Sequence, residues 1–167
     1  MAKVCVFLAE GFEEVEGLTV VDLLRRAGEE VLMVSIGTSL EVTGSHGIKV
    51  SADRLFEEAD YSDADMLVLP GGMPGTLHLG EHKGLTELLI KFNEAGKKVA
   101  AICAAPGVFG ANGILKGRKA TCYPGCEEKL KGAVLSEEAV VRDKNVTTSN
   151  TFEDVQSGQW FNTAVST

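Results

Sequence analysis

Positive charge is the first thing this chain has little of. Sixteen Lys and Arg stand against 24 Asp and Glu, a net charge of −8, and no basic cluster interrupts that balance. Such a surface repels polyanions, so neither nucleic acid nor an anionic membrane is expected as a main partner. Long apolar runs are also missing, and none approaches the ~18 residues a membrane span needs. Histidines number three and cysteines four. The cysteines, at positions 5, 103, 122 and 126, form neither CxxC pairs nor a dense disulfide spacing. Cys122 and Cys126 are separated by three residues, but no Cys/His pair elsewhere completes a zinc set. A reduced, cytoplasmic protein without a structural metal is the expectation. Met1-Ala2-Lys3-Val4-Cys5 enters a strand pattern at once, so no signal peptide is expected.

What is present suits a globular α/β protein. The 167 residues are 44% apolar and 24% charged, enough for one domain that buries about two-thirds of its unfolded surface. Residues 3–8, 30–36, 66–69 and 99–102 are short apolar runs that read as buried strands. Between them lie helical patterns. The first carries Val15, Leu18, Leu23, Leu24 and Ala27 as its apolar positions, with Arg25 and Arg26 near its end. A second shows Leu85, Leu88, Leu89 and Phe92 on one face and stops at Gly96. Residues 42–50, with Gly44 and Gly47, read as a hairpin off the sheet. Residues 120–123, 139–142 and 146–149 are further strand candidates. This alternation predicts a doubly wound, mostly parallel sheet with helices on both faces. Ligands of such sheets bind at the carboxyl ends of the strands, where the strand order switches.

Three features fall at that edge. The apolar run 99–102 leads straight into Cys103-Ala104-Ala105-Pro106, with Pro106 suited to a first helical position. A cysteine at a strand-to-helix junction lies near N–H groups and the positive end of a helix dipole, which favours a thiolate and lowers its pKa. The same position is the nucleophile elbow of many hydrolases; it also suits a buried structural cysteine. Gly71 and Gly72 follow a strand directly, and their N–H groups can approach a ligand as an oxyanion hole or simply make a tight turn. Glu13, Glu14 and Glu16 begin the first helix, where acidic residues are favoured in any case. A partly buried carboxyl among them, its pKa raised, can exchange a proton with a thiol. Composition does not say which of the three does so.

The motifs Leu8-Ala9-Glu10-Gly11-Phe12-Glu13-Glu14-Val15-Glu16, Val68-Leu69-Pro70-Gly71-Gly72 and Ala100-Ala101-Ile102-Cys103-Ala104-Ala105-Pro106, in this order, closely resemble the ThiJ/PfpI superfamily. Within it they resemble the branch of the Parkinson's-disease protein deglycase and its bacterial chaperone-like homologues. The likeness runs over residues 3–149. It implies a flavodoxin-like fold and a homodimer. It implies Cys103 as a reactive, oxidation-sensitive nucleophile and Glu16 as its protonated, hydrogen-bonded partner. Gly71 and Gly72, with Ala104 beside them, match the oxyanion hole. The implied chemistry needs no cofactor and acts on 2-oxoaldehydes such as methylglyoxal or on proteins glycated by them. Oxidative-stress sensing and chaperone (holdase) activity are also implied.

Several positions depart from the family pattern. Ala104 stands where PfpI-type peptidases carry a histidine, which removes the general base of a cysteine peptidase or amidase. Tyr123 replaces a histidine of the deglycase and offers at most a hydroxyl. His46 stands where the deglycase has an arginine reaching its dimer partner. His78 and His82, one turn apart, have no third ligand in sight and read as a solvated helix face. After Ser149 the family continues with an Arg-Gly-Pro turn and an apolar helix. Residues 150–167 are instead polar and short, a divergent or truncated terminus expected to leave apolar surface for a second copy or an exchanged segment to cover.

Overall fold

The computed structural model describes residues 1–153 and 158–165. The apolar runs pair side by side because each is too short and too apolar to lie anywhere but inside a sheet covered on both faces. β1 (Lys3–Leu8) pairs in parallel with β2 (Glu30–Ser35) and, on its other side, with β6 (Met66–Leu69). β7 (Lys98–Ile102) continues beyond β6, and β11 (Val146–Ser149) beyond β7, both parallel. The antiparallel β10 (Val140–Asp143) closes one edge and the two-residue β5 (Arg54–Leu55) the other, giving the order β10-β11-β7-β6-β1-β2-β5. Strand order switches between β1 and β6, since the chain runs outward from β1 to β5 and then returns to build the other half. The doubly wound expectation therefore holds.

Helix α1 (Glu14–Arg26) connects β1 to β2. Its buried residues are Glu14, Glu16, Gly17, Val20, Val21 and Leu24, so the face differs from the one expected from Val15 and Ala27, both of which are exposed. Two carboxylates take inward positions that hydrophobicity alone assigns to apolar residues. Helices α2 (Gly75–Glu81) and α3 (Lys83–Glu94) join β6 to β7, and α3 buries Leu85, Leu89 and Phe92. The hairpin is β3 (Glu41–Thr43) against β4 (Lys49–Ser51), outside the main sheet. Helix α4 (Pro106–Ala111) follows β7. The strand expected over 120–123 is shorter: β8 (Lys119–Ala120) pairs with β9 (Val134–Leu135), and the chain then turns away at Tyr123.

Apolar side chains gather on the two faces of the sheet. Phe7, Leu67, Leu69, Leu89 and Phe109 lie on one, and Val6, Leu8, Phe12, Leu24 and Ile102 on the other. The C-terminal segment adds to the second face. Helix α5 (Gln159–Val165) buries Trp160 and Ala164 there. Part of the segment expected to leave apolar surface open after Ser149 thus packs on this face, successive turns of a short helix presenting one tryptophan and one alanine inward. Residues 154–157 and 166–167 of that segment lie outside the described residues.

Candidate active site

Cys103 occupies the elbow between β7 and α4. Its φ is +64°, a conformation in which a side-chain-bearing residue is uncommon and strained. Hydrogen bonds on both sides hold it there. Its N–H donates to Ser149 O at 2.9 Å, and its carbonyl accepts from Tyr123 N–H at 2.8 Å. The backbone bend turns the thiol out of the strand, leaving it half-buried beside the first turn of α1.

Glu16 meets it from that helix. The carboxyl is 2% exposed, accepts Gly71 N–H at 2.9 Å through Oε1 and shares a hydrogen bond with the Cys103 thiol. Gly71 must be glycine for this approach. A Cβ there would stand 2.5 Å from Glu16 Oε1 and 2.8 Å from Cys103 Cβ. The loops are further locked together by Glu13 N–H on Gly71 O at 2.9 Å and Gly75 N–H on Gly11 O at 3.1 Å. Gly72 has φ +95° and packs against the backbone of Phe12 and Glu13, so both glycines answer a close backbone approach. Replacing Gly71 by Ala is expected to push Glu16 away from the sulfur. A misplacement of about 1 Å costs about a hundredfold in any reaction the pair performs, to be read as the rate of Cys103 alkylation with the fold checked by circular dichroism.

Burial dominates the protonation of the pair. It pushes the Glu16 carboxyl up to about 7, against hydrogen bonds from Gly71 and Cys103. Burial, then the charge and hydrogen bond of Glu16, push the Cys103 thiol up to about 12, while Ala104 N–H favours the thiolate. The lowered thiol pKa expected from the helix terminus is thus corrected. Helix α4 is six residues long and starts three residues after Cys103, and dipole effects fade within one turn. Once Glu16 ionises, the pair retains a single proton, held on the Cys103 sulfur by burial and by the carboxylate charge beside it.

Glu14 has a different task. Though its carboxylate is buried, it accepts His46 N–H at 2.9 Å and Ile48 N–H at 3.2 Å, which ties the β3–β4 hairpin to α1. Burial raises its pKa, but hydrogen bonds from its own N–H, from Ile48 and from His46 outweigh that and lower it. Sequence reasoning places no residue in this role; the partners lie 32 and 34 positions away. Removing the carboxyl in Glu14→Ala leaves those N–H groups unpaired, at a cost of about 1–3 kcal/mol. The expected result is a lower denaturant midpoint, with faster amide exchange at His46 and Ile48.

The remaining candidates lie around this centre. Ala104 places its N–H on the Cys103 sulfur. Tyr123 is exposed and touches the elbow through its backbone. His46 lies on Glu14 at 3.2 Å and near Glu13 at 3.5 Å, and its hydrogen bond to Glu14, then the Glu13 charge, raise its pKa. Glu13, Glu14 and His46 bring ligand atoms within 4.8 Å of one another, although the Glu14 oxygens are already engaged by N–H groups. His82 caps α3, its Nδ1 accepting Leu85 N–H at 3.0 Å. Among the described residues no helix is long and apolar enough to cross a membrane.

A mostly parallel α/β sheet with a strained cysteine elbow, a buried carboxyl and a Gly-Gly loop at its carboxyl edge defines a flavodoxin-like class of protein. The DJ-1/PfpI family model matches residues 2–163, and the chain belongs to that family. It is 42% identical over 148 residues to the protein DJ-1 homolog A of Arabidopsis thaliana, a match covering 88% of this chain and 38% of that protein. The chain therefore spans little more than a third of the plant relative's length. It is 37% identical over 132 residues to a protein of Pyrococcus abyssi named a deglycase, covering 78% of each. Among solved structures, oxidized Toxoplasma gondii DJ-1 superposes with a TM-score of 0.90 at 31% identity, covering 99% of this chain and 93% of that one.

Proposed function

We propose that the protein is a cysteine-dependent, cofactor-free glyoxalase or deglycase acting on 2-oxoaldehydes and their adducts. The observation that carries this reading is the Cys103–Glu16–Gly71 cluster, in which a buried carboxyl is bonded to both a thiol and the N–H of the adjacent loop. As Cys103 Sγ attacks the aldehyde carbon, its proton passes to the Glu16 carboxylate and a hemithioacetal forms. Protonation weakens Glu16 as an acceptor, which frees Gly71 N–H for the new oxyanion together with Gly72 and Ala104 N–H. Glu16 returns its proton to that oxyanion. As a carboxylate again, it takes the proton from the former aldehyde carbon and delivers it to the neighbouring carbonyl carbon, while the hydroxyl proton passes to the neighbouring oxygen. The resulting thioester is hydrolysed to a 2-hydroxy acid, and Cys103 regains its proton.

The test compares two substrates with reduced protein: methylglyoxal, followed as lactate, and a methylglyoxal-treated amine, followed as free amine. Lactate formation alone assigns a glyoxalase, and release of the amine from a preformed adduct adds the deglycase step. A redox-responsive holdase is the second reading, favoured by the half-exposed thiol of Cys103. A peptidase is weaker, since Ala104 supplies no base and His46 and His82 are engaged elsewhere. The homodimer belongs to the same proposal and is read by light scattering.

A further inference from the structure

The start of α1 and the apex of the β3–β4 hairpin meet through three side chains that can each give a lone pair to a metal ion. His46 Nδ1 lies 3.2 Å from Glu14 Oε1 and 3.5 Å from Glu13 Oε1, and the ligand atoms of all three residues lie within 4.8 Å of one another. Bonds of about 2.0–2.2 Å to a tetrahedral ion place its ligand atoms about 3.3–3.6 Å apart, so the imidazole already stands near ligand spacing from each carboxylate. Backbone bonds hold both sides in place. Glu13 N–H is fixed on Gly71 O at 2.9 Å, and Ser45 N–H on Phe12 O at 2.8 Å. A Cβ on Gly44 would collide with the Glu14 carboxyl, so glycine is needed for the hairpin to come this close. Glu14 is buried, and its shortest N–H contact, from His46 at 2.9 Å, falls on Oε2 together with that from Ile48 at 3.2 Å. Oε1 has only long contacts, to His46 N–H at 3.2 Å, to Ser45 Oγ at 3.3 Å and to the ring. With two lone pairs on each carboxylate oxygen, Oε1 is the one open to an ion. Among the described residues no Lys or Arg pairs with either carboxylate, and the imidazole is exposed to solvent.

We infer that Glu13, Glu14 and His46 form a binding site for a divalent first-row transition cation of the Zn2+ type, and that the bound ion clamps the hairpin to α1. The ion takes Oε1 of each carboxylate and the Nδ1 lone pair of His46, whose ring proton stays on Nε2, and water fills the fourth position. One imidazole with two carboxylates suits such ions, whereas Mg2+ and Ca2+ prefer an all-oxygen shell. Two carboxylates also balance the charge of the ion. Spacing hides the set in the sequence, since His46 follows Glu14 by 32 positions.

Titration calorimetry with Zn2+ tests this on the full chain carrying Cys103→Ala, which removes a rival thiol ligand. One equivalent is expected to bind, and excess Mg2+ is expected not to displace it. Adding His46→Ala or Glu13→Gln removes one ligand and is expected to weaken binding by at least about tenfold, a loss that even a residue merely hydrogen-bonded to a ligand produces. Circular dichroism checks the fold of each variant, and Glu14 is left intact because its removal loosens the hairpin. In the wild type, saturating Zn2+ is expected to slow amide exchange at His46 and Ile48, a readout that needs no variant. No saturable binding by the Cys103→Ala protein overturns the inference. So does binding that His46→Ala leaves unchanged, or wild-type exchange at His46 and Ile48 that Zn2+ does not alter. None of these arms reads dicarbonyl turnover, so failure here leaves the catalytic reading intact.

Discussion

Reduced Cys103→Ala is expected to lose methylglyoxal turnover by about a thousandfold or more, as removal of a covalent nucleophile does when the rest of the site remains. The argument is geometric. Cys103 is held at φ +64° by backbone bonds to Ser149 and Tyr123. Those bonds belong to its backbone, so a smaller side chain keeps the elbow and removes only the sulfur. Lactate production by wild type and variant, measured at the same protein concentration, checks it. Equal turnover would remove Cys103 from the chemistry altogether. If both are inert, the holdase reading moves forward, and client aggregation with and without peroxide becomes the informative assay.

Glu16→Gln is the second large effect, an expected loss of about 10²–10⁴-fold in kcat/KM, the range of a general acid–base group. The amide still accepts Gly71 N–H, so the loop keeps its anchor while the base is lost. The wild-type kcat/KM is expected to rise with pH and level off above about 7, where Glu16 becomes a carboxylate able to take the thiol proton; the variant shows no such inflection. Stability runs the other way. The folded state holds the Glu16 proton up to about pH 7, whereas the unfolded chain releases it near 4.5. The folded state therefore binds more protons across that window, and this group's contribution to stability declines as pH rises through it. In Glu16→Gln that decline disappears. A variant with low activity and unchanged pH dependence of stability would contradict the assignment of the raised pKa to Glu16.

Much of this architecture is legible in the sequence. Short apolar runs alternating with amphipathic stretches mark the parallel sheet, and its carboxyl edge gathers the Gly-Gly loop, the acidic first turn and Cys103. What stays hidden depends on contacts between distant positions or on depth. Helix α1 buries Glu14 and Glu16 while exposing Val15, an inversion that hydrophobicity cannot signal, because the carboxylates are compensated by N–H groups far along the chain. The hairpin anchor at Glu14 is of that kind. The direction of the Cys103 shift is hidden because a strand-to-helix junction does not disclose how short the helix is or how deeply the neighbouring carboxyl is buried. The C-terminal helix is hidden because one tryptophan carries most of its packing, and a single residue makes no period.

The most direct measurement is the rate of Cys103 alkylation by iodoacetamide as a function of pH, read by mass spectrometry in wild type and Glu16→Gln. A carboxylate that takes up the thiol proton predicts a wild-type rate that rises through about pH 7, following Glu16, and a variant whose Cys103 is slow until the thiol itself ionises. Identical profiles in the two proteins would show that Glu16 does not govern the thiol, and the proposed proton transfer would fail with it.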